Sequence, residues 1–152
     1  GDGWEGIWTV GGAVVLTTVT VDNVDATKVG NWVPSTKSYD SYVGIGYIHD
    51  DNKGNGSKSV TYPVNLESGE YEVRASYTPG DNRATNTPIT IKHADGQTTK
   101  FINQQKRPDI DKKYISLGTY QFNKGDKTEV IISTENTSRH VIADSIQFIP
   151  IT

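Results

Sequence analysis

Three histidines are the residues of this chain best suited to acid–base chemistry near neutral pH, because imidazole changes its charge there. His49 precedes Asp50 and Asp51, His93 lies before a predicted hairpin turn, and His140 begins the last strand-like segment. None has a metal-ligand spacing such as H-x-x-x-H or H-E-x-x-H. We therefore expect structural or surface histidines. A lyase or esterase that uses His49 or His140 with a nearby carboxylate is an alternative that we do not favour.

The serines and acidic residues form no recognisable catalytic motif. There is no G-x-S-x-G turn, so a nucleophile elbow is not predicted. Paired carboxylates occur at residues 50–51 and 109–111, and a glycosidase would need two such groups across a cleft. A chain with 18 acidic residues offers such pairs by chance. We expect that the domain is not an enzyme.

Two aspartates are candidates for a cation site. Asp22 follows the first strong strand segment and Asp144 lies within the last one. If these strands are neighbours, the two carboxylates could share a structural calcium ion, which prefers several oxygen ligands. The competing interpretation, in which they cap turns or pair with basic residues, is favoured because no EF-hand-like spacing is present. No other cofactor is expected.

Aromatic side chains suggest sugar binding, because the C–H groups of a pyranose ring pack well on an aromatic face. Trp32, Tyr39, Tyr42 and Tyr47 cluster in one segment of the sequence. For Trp32 a place in the core is favoured over sugar binding, since tryptophan is highly buried on average.

Arg83 lies in a tight turn between Asn82 and Asn86. Its guanidinium could hydrogen-bond loop carbonyls and fix this corner, or it could contact sugar hydroxyls or a carboxylate. We favour the structural role, because flanking Asn and Asp residues commonly satisfy backbone groups in turns.

The strand pattern predicts an all-β fold. About nine short segments rich in Val, Ile, Thr and Tyr are separated by Gly, Pro, Asn or Asp, as in an antiparallel β-sandwich of jelly-roll type. In residues 71–77 the alternation places Tyr71, Val73, Ala75 and Tyr77 towards the core and the intervening Glu72, Arg74 and Ser76 outwards. The predicted core residues are Val73, Ile89, Ile91, Leu117, Ile132, Ile142, Ile146 and Phe148.

Turns and loops complete this pattern. Ala94-Asp95-Gly96 predicts a hairpin turn. Residues 49–59 and 104–113 are long polar connections, and binding groups often lie in such loops of a rigid sandwich.

Composition limits the partners. The chain of 152 residues fits one domain, and a net charge of −3 gives no general reason to expect nucleic acid or a membrane surface as partner. There is no cysteine, which excludes disulfides and thiolate chemistry. There is also no methionine, so we expect a domain taken from a longer protein. A monomer is expected.

Several longer segments follow one another from about Val19 to Pro150: VDNVDA, GNWVPST, YVGIGYIHDDNKGNGSKSVTY, GEYEVRASYTPGDNRATNTPITIKHADGQTT, INQQ, YISLGTYQF and HVIADSIQFIP. Together they resemble the golvesin C-terminal-like domain, an accessory module of bacterial chains described as xanthan lyases or FAD-dependent oxidoreductases. The resemblance implies residues 19–152 as the β-sandwich domain and leaves residues 1–18 as a linker or an extra N-terminal strand.

The resemblance also implies a secreted or periplasmic, non-catalytic carbohydrate-binding module with an attached catalytic domain and a polysaccharide as partner, an acidic polysaccharide being one candidate. A structural spacer or domain-docking module is the alternative. For the sugar site, the loops offer stacking surfaces and planar hydrogen-bonding groups, together with basic residues for an acidic polymer. The predicted ligand-binding residues are Tyr47, His49, Asp50, Asn82, Arg83, Asn86, Lys106 and Arg107, with Trp32 as the alternative centre.

Overall fold

The computed structural model describes residues 7–10, 13–36, 42–44, 46–53 and 56–151. This part of the chain is built from short strands that pair antiparallel, with one 3₁₀ turn at Asn23–Asp25. None of its helices is long and apolar enough to cross a membrane. The strands are β1 (Ile7–Val10), β2 (Ala13–Leu16), β3 (Val19–Asp22), β4 (Thr27–Val29), β5 (Val33–Ser35), β6 (Tyr47–His49), β7 (Ser59–Val64), β8 (Gly69–Ser76), β9 (Thr87–His93), β10 (Gly96–Ile102), β11 (Tyr114–Phe122), β12 (Thr128–Ser133), β13 (Ile142–Ala143) and β14 (Ser145–Pro150).

Two sheets form the sandwich. One has five strands in the order β10-β9-β12-β7-β4, and the other has four in the order β11-β8-β14-β3. A small sheet, β13-β6-β5, and the hairpin β1-β2 accompany them. The predicted antiparallel sandwich is confirmed. The prediction of nine strands is too low, because strands of two or three residues show no recognisable alternation.

The core lies between the two large sheets and follows the alternation of the strands. The outward positions Glu72 and Arg74 are half-buried, whereas Ser76, also predicted to face outwards, is buried at 3% exposure. Ser76 is buried because its hydroxyl bonds Ser145 of the neighbouring β14. All eight predicted core residues are at most 1% exposed: Val73, Ile89, Ile91, Leu117, Ile132, Ile142, Ile146 and Phe148.

Four connections pack side by side at one end of the sandwich. The backbone N–H of Asp50 donates to the carbonyl of Val141, that of Ala84 to His140, and that of Gln104 to Ala84. Backbone bonds between distant loops fix their relative positions. We call this region the loop end; it comprises residues 50–53, 78–86, 103–107 and 134–141.

The side chain of Gln104 connects the loop end to the strands β9 and β13. It is 1% exposed, accepts from the Thr87 hydroxyl at 3.1 Å and the Ile142 N–H at 2.9 Å, and donates to the Ile142 carbonyl at 2.9 Å. Without Gln104, the hydroxyl of Thr87 and the N–H and carbonyl of Ile142 would lose these hydrogen bonds, and a buried polar group without a bond lowers stability.

Candidate functional site

Arg83 is held by three groups of the protein. Its Nε donates to the Thr78 carbonyl at 3.2 Å, one terminal nitrogen donates to the side chain of Asn82, and the other donates to the Tyr47 hydroxyl at 3.2 Å. Its guanidinium carbon lies 5.8 Å from the centroid of the Tyr47 ring, within the range of a cation–π contact. These contacts support the structural role of the turn. Ligand binding by Arg83 stays a prediction.

Asp50 and Asn86 are also engaged within the loop end. Asp50 is buried, and its Oδ1 accepts the N–H groups of Asn52 at 3.1 Å and Val141 at 2.9 Å. The amide of Asn86 donates to the carbonyl of Asn136 at 2.9 Å. A ligand at these side chains would have to compete with the bonds that hold the loops.

The predicted basic residues lie at the same end. Lys106 and Arg107 are exposed, and they follow Gln105, whose side chain donates to the Arg83 carbonyl at 2.9 Å. The structure therefore places Lys106 and Arg107 close in sequence to a residue that contacts the Arg83 corner. Their contact with an acidic polymer stays a prediction.

A groove of about 420 Å³ lies beside β4, β5 and β6. Its walls include Trp32 and Tyr47, and polar groups come from Asn23, Lys28 and Thr36. A groove that combines aromatic rings with a few fixed polar groups is the usual form of a site for a small hydroxylated ligand.

Trp32 is the more accessible of the two aromatic rings in this groove. It is half-buried, and its Nε1 donates to the carbonyl of Val29 at 3.1 Å, so the polar edge of the indole is satisfied without a ligand. Tyr47 is 3% exposed and its ring lies 6.4 Å from that of Tyr42. Tyr47 therefore forms a wall between the groove and Arg83. Tyr39, the other tyrosine predicted for this cluster, lies outside the described residues.

Asp22 and Asp144 are neighbours, as the proposed pairing of terminal strands requires. Asp22 pairs with Ser145 across β3 and β14, and the carboxyl groups of Asp22 and Asp144 lie within hydrogen-bonding reach of each other. One side-chain oxygen of each aspartate, and that of Asn23, is buried without a hydrogen-bond partner among the described residues. Buried polar atoms nearly always have partners, so the unpaired oxygens of these two neighbouring aspartates fit ligands of a hard cation.

The pKa of Asp144 also indicates a cation site at Asp22 and Asp144. Burial, and the neighbouring Asp22, raise the pKa of Asp144 to about 8, while a bond of 2.8 Å from the Val43 N–H acts in the opposite direction. A carboxyl group with such a pKa stays protonated at neutral pH unless a cation compensates the charge. Glycine at position 44 lets the backbone lie close to the Asp22 carboxyl group. Its φ is +70°, and a Cβ there would lie 2.7 Å from Asp22 Oδ2.

The three histidines have two different settings, and that of His93 agrees with the predicted structural role. His93 stacks on Tyr120 with ring centroids 4.8 Å apart and bonds Thr98, which is a structural role. His49 and His140, 91 positions apart in the chain, have ring centroids 5.3 Å apart. Burial, together with the charge of the neighbouring His140, lowers the pKa of His49. No local spacing could have shown this contact, because it is made by the folding of the loop end.

Substitution of Arg83 by alanine is expected to lower the free energy of unfolding by about 2 kcal/mol, because a charge-assisted bond to Thr78 and the contacts to Tyr47 are lost. Urea denaturation of both proteins measures this change. Lys106→Ala, an exposed basic residue of the same end, is the control and should change stability by no more than about 0.5 kcal/mol. Equal stability of the Arg83→Ala protein and the parent would contradict the structural role of Arg83.

Two packed antiparallel sheets, with a groove and irregular loops beside them, define a β-sandwich module of the type found in carbohydrate-binding modules. A family 35 carbohydrate-binding module from Clostridium thermocellum superposes with a TM-score of 0.58 at 18% identity, covering 89% of this chain and 99% of that module. This likeness concerns the fold.

The model of the Golvesin C-terminal domain matches residues 19–150, and the chain belongs to this family. It is 34% identical over 143 residues to a xanthan lyase of Bacillus sp. (strain GL1), with 90% of this chain and 15% of the lyase covered. The structure of a Paenibacillus xanthan lyase superposes with a TM-score of 0.83 at 38% identity, covering 92% of this chain and 14% of the lyase. The chain thus spans about a seventh of the lyases that it matches.

Proposed function

We propose that this domain is a non-catalytic carbohydrate-binding module of a larger secreted or periplasmic protein, and that the groove beside Trp32 receives a sugar ring. The observation that carries the proposal is the groove itself, which is lined by Trp32 and by the polar residues Asn23, Lys28 and Thr36. A sugar needs both an aromatic face and fixed hydrogen-bonding partners. The likeness of the fold to a carbohydrate-binding module supports it.

As far as the structure describes it, the groove lacks the carboxylates that a glycoside hydrolase uses, which favours binding without glycoside cleavage. The described residues that line it include no carboxylate and no histidine. Glycoside cleavage would need such groups beside the sugar. The role would then be to hold an attached catalytic domain near its polymer, which raises the effective concentration of that domain without new chemistry.

An acidic polysaccharide is the polymer that we favour. The relatives are xanthan lyases, Lys28 lines the groove, and Lys106 and Arg107 supply further positive charge at the loop end. These local cations can attract a polyanion even though the whole chain has a net charge of −3.

Affinity electrophoresis against acidic and neutral polysaccharides tests the proposal. We expect xanthan or another acidic polymer in the gel to retard the domain, and added salt to weaken the retardation because it screens exposed charges. Mobility that no polymer changes would contradict the proposal. It would favour a docking module instead, for which Val24, Val29 and Val33 offer exposed apolar side chains beside Trp32.

We further propose that Asp22 and Asp144 hold a structural calcium ion. The support is the buried oxygen without a partner in each of the two neighbouring aspartates and the raised pKa of Asp144. The ion would compensate two neighbouring carboxylates and connect β3 to the segment before β14.

A further inference from the structure

A second group of ligand-type side chains lies at the loop end, apart from Asp22 and Asp144. One ligand atom each from His49, Asp51 and His140 lies within 4.8 Å of the other two. All three side chains are partly exposed, so an ion could reach them from solvent. Two imidazoles and one carboxylate are a ligand set that suits zinc and related transition metals and is poorly suited to calcium.

The distance between the two imidazole rings fits a shared metal. A tetrahedral zinc ion with Zn–N bonds of about 2.0 Å places the centroids of two bound imidazoles roughly 5.2 Å apart. The centroids of His49 and His140 are 5.3 Å apart. The ligand atoms, which lie within 4.8 Å of one another, must come to about 3.3 Å apart around a tetrahedral ion, and Asp51 can move for this because its side chain is 47% exposed.

The backbone and the outer contacts position both histidines. His49 ends β6, where it pairs with Ile142, and the N–H of His140 donates to the Asn82 carbonyl at 2.9 Å. His140 Nδ1 also lies 3.3 Å from the Asn82 carbonyl. When Nδ1 donates there, Nε2 presents its lone pair, which is the usual arrangement around metal-bound histidine.

We propose that His49, Asp51 and His140 form a zinc-binding site with a fourth position left to water. Binding of zinc would break two existing contacts. They are the hydrogen bond of 3.0 Å from the Asp51 N–H to His49 Nδ1 and the ion pair of 3.5 Å between Asp51 and Lys53. Both are exposed contacts, which contribute little to stability. The positive charge of Arg83 opposes the ion, and the buried carboxylate of Asp50 offsets it.

Isothermal titration calorimetry with Zn²⁺ tests this site, with calcium present in excess so that the oxygen site of Asp22 and Asp144 is filled. We expect one zinc ion per domain and a higher midpoint of thermal unfolding in zinc. His49→Gln and His140→Gln should each bind zinc at least about tenfold more weakly. His93→Gln is the matched control and should bind as the parent does, because His93 stacks on Tyr120 away from this group.

Asp51→Asn keeps the test informative if a histidine variant folds poorly, since Asp51 is exposed and the exchange preserves its shape. This variant should fold normally and bind zinc more weakly than the parent. Absence of zinc binding to the parent protein would overturn the proposal, and so would undiminished binding in any of the three site variants.

Discussion

Calcium is expected to raise the midpoint of thermal unfolding of the domain, and chelation with EDTA is expected to reverse the change. An ion that binds only the folded state at a hundred times its Kd adds about 2.7 kcal/mol of stability. For a domain of this size that corresponds to roughly 5–10 °C. The physical reason is the compensation of the buried Asp144 carboxylate and its half-buried neighbour Asp22, each of which has one oxygen without a hydrogen-bond partner among the described residues.

The Asp144→Asn variant tests whether calcium stabilises the domain through Asp144. Asparagine has the same shape and no charge, so the variant should fold without calcium and gain nothing from its addition. Asp25→Asn is the matched control, because Asp25 belongs to the same short segment as Asp22 but is exposed. Calcium should stabilise the control as it does the parent. A calcium-dependent midpoint in Asp144→Asn equal to that of the parent would contradict the site.

The pH dependence in EDTA gives an independent signature of the same pair. The pKa of Asp144 is raised from 3.8 to about 8, so the folded state binds the proton more tightly than the unfolded state. Stability should therefore fall as pH rises from about 4 to about 8, by at most about 1.4 kcal/mol for each pH unit. Saturating calcium should flatten this slope. Urea denaturation in EDTA that shows rising stability over this range would be inconsistent with the raised pKa.

Trp32→Ala is expected to weaken polysaccharide binding by about 2 kcal/mol, roughly thirtyfold in Kd. Removal of the indole deletes the proposed stacking face of the groove, whereas Trp32→Phe keeps an aromatic ring and should retain part of the affinity. Titration calorimetry with soluble oligosaccharides from a retarding polymer measures both.

Phe101→Ala is the matched control for this experiment. Phe101 is 67% exposed on β10, at the opposite edge of the five-stranded sheet from β4, which contributes to the groove. It should leave affinity unchanged. Loss of binding in Phe101→Ala together with normal binding in Trp32→Ala would move the site to that edge and contradict the proposed groove.

The large sheets could be predicted from the sequence, because the alternation of apolar and polar residues along a strand indicates which side chains are buried. Val73 and Ile91 alternate with more exposed neighbours, and the hairpin of β9 and β10 pairs His93 with Gly96 as its turn residues predict. The last segment was predicted as one strand. Asp144 instead divides it into β13 and β14, which belong to different sheets.

The contacts between loops could not be predicted, because they depend on how distant connections meet. The guanidinium of Arg83 bonds residues as far apart in the chain as Tyr47 and Asn82, and Gln104 is fully buried although its neighbours in the sequence are polar. The approach of His49 to His140 has no counterpart in local spacing. The pairing of Asp22 with the last strand was the exception, since terminal strands of sandwiches are often neighbours.

An NMR titration of the ¹⁵N-labelled domain with oligosaccharides from xanthan tests the central claim most directly, because each backbone amide reports its own surroundings. Saturable shifts are expected to concentrate at the groove, in Trp32, including its indole N–H, and in Thr36 and Gly46. The residues of the distant edge strand β10 should not shift. A spectrum that oligosaccharides from xanthan and from neutral polymers leave unchanged, or shifts confined to residues away from the groove, would contradict the account.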